Sequence, residues 1–137
     1  MFLVVSLYSN YKAMKKLTHA EEQIMQVLWE LEKGFVNDIV SQLPDPKPAY
    51  NTVSTIVRIL EQKGFIAHKA YGRTHEYYPL VNKDEYSREY LNNFTQNYFS
   101  NSYKALASFF ANTESLSVRE LEEIKVLVEE QIKNHKK

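Results

Sequence analysis

Asn51, Ser54, Thr55 and Arg58 stand at positions i, i+3, i+4 and i+7, the spacing that puts side chains on one face of an α-helix. Three of them are short neutral donors and acceptors, and the fourth is a guanidinium. A face serving only solubility more often carries Glu and Lys. Here Glu61, near the far end, is the single acid. These residue types match the edges of nucleic-acid bases: Asn pairs with adenine, Arg with guanine, and a Thr methyl meets the thymine methyl. Tyr50 and Thr52 flank Asn51 at the start of the segment, where a helix N-terminus favours phosphate. Lys63, Lys69 and Arg73 follow, suited to backbone contacts that set register without reading sequence. These nine residues are the candidate DNA-binding set. The alternative is an ordinary polar helix face.

Other chemistries find little support. His68 and His75 are expected on one face of a hairpin, with no carboxylate nearby on that face, which makes a poor metal site. The chain has no cysteine, so it offers no disulfide, thiolate zinc site or cysteine nucleophile. Gly34, Gly64 and Gly72 are its three glycines, too scattered for a phosphate-cradling loop. No Ser or Thr sits in a nucleophile-elbow context. The expectation is no catalytic residue, no cofactor and no metal.

The elements that would position the candidate residues follow from periodicity. Thr18 to Glu21 forms a capping box, followed by Ile24, Val27, Leu28 and Leu31 at helical spacing, with Trp29 in the same apolar stripe. Gly34 is expected to end this first helix. A short second helix spans Asn37 to Leu43, after which Pro44, Pro46 and Pro48 stop it. The third helix runs from about Ala49 to Lys63 and buries Val53, Ile56, Val57 and Leu60, with Gly64 as its cap. Alternation then replaces helical period: Phe65–Tyr71 and Thr74–Tyr78 read as strands around a Gly72-Arg73 turn. Three helices and a hairpin give a winged helix-turn-helix over residues 14–81.

Charge supports that layout. The net charge is zero, but residues 18–46 set Lys33 against Glu21, Glu22, Glu30, Glu32, Asp38 and Asp45. Residues 47–75 set Lys47, Arg58, Lys63, Lys69 and Arg73 against Glu61 alone. A basic segment follows an acidic one, centred on the third helix and hairpin. Residues 1–13 lack periodicity and read as a disordered extension ahead of Met14. The 137 residues contain no run long enough to span a bilayer, so no membrane insertion is expected, and a cytoplasmic location fits the lack of cysteine.

Residues 82–137 change character. A fourth helix opens at Asn82 to Glu85 and carries Tyr86, Tyr90, Phe94 and Tyr98 at i+4 spacing. Asn101 and Ser102 can kink it before Leu106, Phe109 and Phe110. Ser117 to Glu120 is a second capping box, opening a last helix with Leu121, Ile124, Val128 and Ile132. Two such helices cannot cover both apolar stripes by themselves. Burial against a second copy gives a symmetric homodimer; packing back onto the N-terminal domain is the alternative. The fold class is mostly α with a small β-hairpin: an N-terminal winged helix-turn-helix plus a C-terminal helical dimerisation domain. Tyr90, Phe94, Leu106, Phe109, Phe110, Leu121, Ile124, Val128 and Ile132 are its expected contacts.

Three blocks resemble the BlaI/MecI-type penicillinase-repressor family of bacterial winged-helix repressors. They are Leu17 to Glu21 running on to Trp29, Asn51 to Ile66 with the wing ending Glu76-Tyr77-Tyr78-Pro79-Leu80, and Phe109-Phe110 with Leu116-Ser117, Glu120-Leu121 and Ile124. The resemblance implies a dimeric transcriptional repressor occupying a two-fold operator on double-stranded DNA. It also leaves room for induction by a membrane-bound sensor metalloprotease cutting the C-terminal domain, where the matching bond is Phe109–Phe110. The family commonly has Asn at the Phe109 position, Arg at that of Ile59 and Lys at that of Asn51. The copper-responsive branch has a cysteine-rich C-terminus, which this chain lacks. A second reading of the fold, a winged-helix protein–protein module without DNA, would not need the basic 47–75 segment.

Overall fold

The computed structural model describes residues 16–136. The 1–13 extension lies outside them. The described chain forms helix α1 (His19–Leu31), α2 (Val36–Gln42), α3 (Tyr50–Gln62), strands β1 (Ile66–Tyr71) and β2 (Thr74–Pro79), then α4 (Lys83–Phe99), α5 (Tyr103–Ala111) and α6 (Val118–His135). It divides after Glu89 into two compact units.

Local chemistry sets most boundaries of the first unit. The Thr18 hydroxyl accepts from the Glu21 amide at 3.2 Å, and Glu21 Oε1 accepts from the Thr18 amide at 2.8 Å. This box starts α1 by satisfying donors that no helical carbonyl can reach. Asp38 does the same for α2, accepting from the Phe35 amide at 2.9 Å. Gly64, at φ 85°, follows the C-cap Lys63 of α3. The hairpin pairs Ala70 with His75 and Tyr71 with Thr74 across Gly72-Arg73. Gly72 has φ 65°, the positive value that a type II′ turn needs at its first central residue.

Gly34 has a different role from the one expected. Helix α1 ends at Leu31, and Glu32 supplies the positive φ, 71°. Gly34 instead pairs with Tyr77, donating to its carbonyl at 2.9 Å and accepting from its amide at 2.8 Å. This isolated bridge ties the base of the hairpin to the α1–α2 connection. The pairing joins residues far apart in sequence, so no local period encodes it.

The core lies among α1, α2, α3 and the base of the hairpin. Ile24, Met25, Leu28, Ile39, Val53, Val57, Leu60, Phe65 and Ile66 are all 2% exposed or less. Ile24, Met25 and Leu28 come from α1, Ile39 from α2, Val53, Val57 and Leu60 from α3, and Phe65 and Ile66 from the start of the hairpin. The apolar stripes of α1 and α3 thus meet, with Leu31 and Ile56 half-buried at the edge. The first turn of α4 also belongs to this unit. Tyr86 packs against Trp29 and Phe65 at ring separations of 5.5 and 6.2 Å and donates to Glu22 at 3.0 Å. Trp29 sits at the edge of the core, donating its indole N–H to the Val81 carbonyl at 2.8 Å.

The second unit has three helical segments where two were expected. Ser100 and Asn101 take φ of 51° and 62° and break the chain between α4 and α5. Ser102 then caps α5, accepting from the Ala105 amide at 3.0 Å. Ser117 and Glu120 form the capping box of α6, with both bonds at 3.1 Å. Neither α5 nor α6 buries a single described residue.

Candidate nucleic-acid interface

Helix α3 presents its polar face because Val53, Val57 and Leu60 anchor the other side in the core. Asn51, Ser54 and Arg58 then line one groove, together with Tyr50 at the helix start. Its facing wall is the tip of the hairpin, where Arg73, Thr74 and His75 contribute. Residues of the turn and the start of β2 are thus brought beside residues that recur along α3. Arg58 is held along the helix by a hydrogen bond to the Ser54 hydroxyl at 3.1 Å. The Thr55 hydroxyl donates to the Asn51 carbonyl at 2.9 Å. Thr52 and Thr55 are exposed on α3 but do not line the groove.

The five cations of the basic segment divide. Lys47 donates to the carbonyls of Ser41 and Leu43 at 3.0 and 2.8 Å, so it caps the end of α2. Lys63 grips both oxygens of Glu21, at 2.8 and 2.9 Å. Its ammonium is drawn toward α1 and away from the α3 face, where phosphate contact was expected of it. Arg58, Lys69 and Arg73 remain exposed. Lys69 lies over the Tyr71 ring, 5.3 Å from its centre, and Arg73 is at the turn. The α1–α3 bridge could not be read from the local pattern, because Glu21 already had a role as a capping residue.

Electrostatics around the groove follow from burial and these neighbours. Burial pushes the Glu21 carboxyl up. Hydrogen bonds from Lys63 and the Thr18 amide, with the Lys63 charge, outweigh it and leave the group below the usual carboxylate value. The Tyr77 hydroxyl is raised, chiefly by burial and then by the charge of Glu61, with Arg58 opposing. The expected absence of a carboxylate near the histidines does not hold. Glu61 of α3 reaches His68, its Oε2 2.5 Å from Nδ1. Asn37, Asp38 and Thr74 also line the groove, outside the set that the helical period of α3 defines. The turn between α2 and α3 folds the start of one helix against the face of the other, and no local period records that.

A three-helix unit with a wing, and a groove shared between third helix and wing tip, are the parts of a DNA-binding winged helix. The penicillinase repressor family matches residues 17–130. The chain belongs to this family. It is a BlaI/MecI-type DNA-binding transcriptional repressor and not an enzyme. The repressor is similar to the methicillin resistance regulatory protein MecI of Staphylococcus aureus strain N315, with 26% identity over 111 residues, covering 80% of this chain and 90% of that one. It is also similar to the penicillinase repressor of Bacillus licheniformis, with 24% identity over 127 residues, covering 92% and 98%. Among solved structures, the DNA-binding domain of the repressor BlaI aligns with 53% of this chain and 90% of its own, at 24% identity and a TM-score of 0.47. Among the described residues, no helix is long and apolar enough to cross a membrane.

Proposed function

We propose that this repressor acts as a cytoplasmic homodimer on a two-fold promoter operator, with α3 in the major groove and the wing against the neighbouring backbone. One observation carries the reading: Asn51, Ser54 and Arg58 face the same groove as Arg73. Base-reading and phosphate-holding groups then act on adjacent parts of one duplex. Tyr50, Thr52 and Thr55 extend the α3 contacts, and Lys69 extends those of the wing. Lys63 contributes mainly by holding α3 to α1.

The second unit supports the dimer. Leu106, Leu121 and Ile124 are half-buried, while Tyr90, Phe94, Phe109, Phe110, Val128 and Ile132 remain exposed. Val128 and Ile132 line a shallow, mainly apolar surface on α6 with Leu127. An apolar stripe left open by its own chain favours a copy of itself. Relief of repression by a membrane-bound sensor metalloprotease fits the same arrangement. The Phe109–Phe110 bond is in the last turn of α5, and Phe109 is 63% exposed. A cut there separates α6 from the DNA-binding unit.

Fluorescence anisotropy on a duplex covering the promoter of its own gene tests the reading. A dimer contacting roughly 6–10 phosphates gives a log–log salt slope of about −5 to −9. Arg58→Ala should cost about 1–3 kcal/mol and relax specificity, whereas Lys69→Ala should weaken all sequences alike and reduce the slope by about one per protomer. Binding without salt dependence, or none at all, overturns the proposal.

A further inference from the structure

A stack of side chains outside the DNA-reading set ties the wing to α3. Glu61, in the last turn of α3, holds His68 of β1 through the 2.5 Å contact already described. The His68 ring lies flat on His75 of β2, with centres 4.0 Å apart and planes 6° from parallel. Tyr77 closes the stack, 5.6 Å from His68 and 6.2 Å from His75. His75 and Tyr77 also line the groove that Arg58 and Arg73 share. A chain of contacts thus runs from the base-reading helix to the strand that leads away from the wing tip.

Two physical arguments separate this stack from ordinary packing. A carboxylate on the helix that faces DNA repels a polyanion, and Glu61 is the one acid on α3. Its direct electrostatic effect on DNA binding is unfavourable, and His68 is the side chain it hydrogen-bonds. The second argument concerns the hairpin. Two strands alone hold their orientation poorly. The Gly34–Tyr77 bridge fixes the wing at the level of His68, which pairs with Tyr77, and His75 carries the stack two residues nearer the turn.

We propose that Glu61 and His68 are positioning residues for operator recognition. Through His75 they fix the angle between wing and α3, and with it the span from the base-reading face to Arg73. This rests on the groove being the DNA interface. When the clamp is released the wing swings, and the Arg73 phosphate contact is lost while α3 stays seated.

The test uses the full-length protein and anisotropy titrations on the duplex of its own promoter, over a series of salt concentrations. The variants are Glu61→Ala, His68→Ala, Glu61→Gln, Arg73→Ala and the Glu61→Ala/Arg73→Ala double, each checked for folding by thermal melting. Removing a carboxylate beside DNA would, by charge alone, tighten binding. The clamp requires the opposite sign: Glu61→Ala and His68→Ala each weaken binding about tenfold, with a salt slope smaller by about one per protomer. Glu61→Gln keeps an oxygen acceptor for a His68 N–H and restores most of the affinity. The double variant binds within about twofold of Glu61→Ala, because the Arg73 contact is already gone. If Glu61→Ala does not fold, the His68→Ala/Arg73→Ala double carries the test: it binds within about twofold of His68→Ala, whereas a direct His68 contact with DNA would add to the Arg73→Ala penalty. Tighter or unchanged binding in the alanine variants, or a full extra penalty from Arg73→Ala in the double, overturns the clamp. A wild type that shows no salt-dependent binding removes the DNA reading itself. A wild type that binds, with Arg73→Ala weakened and the clamp variants unaffected, removes the clamp alone.

Discussion

The two units of this chain solve the burial problem differently. In the first, α1 and α3 are both amphipathic and both find cover: Leu28, Val53, Val57 and Leu60 are fully enclosed. In the second, α6 has the same kind of stripe and the same kind of cap, yet Val128 and Ile132 are each about half exposed. Helix formation is therefore not what separates the units. The first unit has a third layer, since α2 and the hairpin close over the contact between α1 and α3. The second has only helices in sequence, and among its described residues neither α5 nor α6 buries an apolar side chain. In the proposed homodimer, a DNA-reading unit that holds its own shape is joined to a unit that a second copy would complete, so affinity would be controlled from a distance.

The largest effect should come from breaking the second unit. Leu121→Ala with Ile124→Ala should give monomers by sedimentation, with the first unit still folded. Operator affinity should fall by roughly 10²–10⁴, because the second half-site is no longer bound intramolecularly. A double variant that stays dimeric, or a monomer that still binds tightly, would refute the dependence of one unit on the other.

A smaller effect is expected from Lys63→Met in the first unit, about 2 kcal/mol of stability at neutral pH, read by denaturant unfolding. Glu21 is held below the usual carboxylate value in the folded chain. Its contribution is therefore present at neutral pH and is lost as pH falls through the carboxylate range. The gap between variant and wild type should narrow toward acid pH, and the dimer should be unaffected. A gap that persists unchanged at acid pH would mean that packing of the Lys63 stem, not the ion pair, joins α1 to α3.

The smallest effect should be that of Arg119→Ala on α6. Its pair with Glu123 spans 3.2 Å, with both side chains largely exposed. Such a pair contributes less than about 0.5 kcal/mol. A large loss of stability or of dimer would place Arg119 inside the interface between copies and redraw its boundary.

Much of the fold was legible because local chemistry recurs at fixed spacing. The Thr18 and Ser117 boxes, the Gly64 cap and the Gly72-Arg73 turn are each encoded within a few residues. The polar face of α3 was legible for the same reason. The break at Ser100 and Asn101 was only half legible, since the polar pair Asn101-Ser102 marks a weak point without saying whether the helix bends or restarts. The Lys63–Glu21 pair was not legible, because its partners stand 42 residues apart in sequence.

The sequence by itself determined where helices begin, which faces are apolar and which way the hairpin turns, because backbone capping, side-chain period and glycine φ act over one or two turns of chain. Tertiary structure decided which cations stay exposed near the groove, that Gly34 serves the wing, and that Glu61 meets the His68–His75 stack. Those outcomes depend on distances between residues on separate elements. Such distances exist only once the core has packed and fixed α1, α3 and the hairpin against one another.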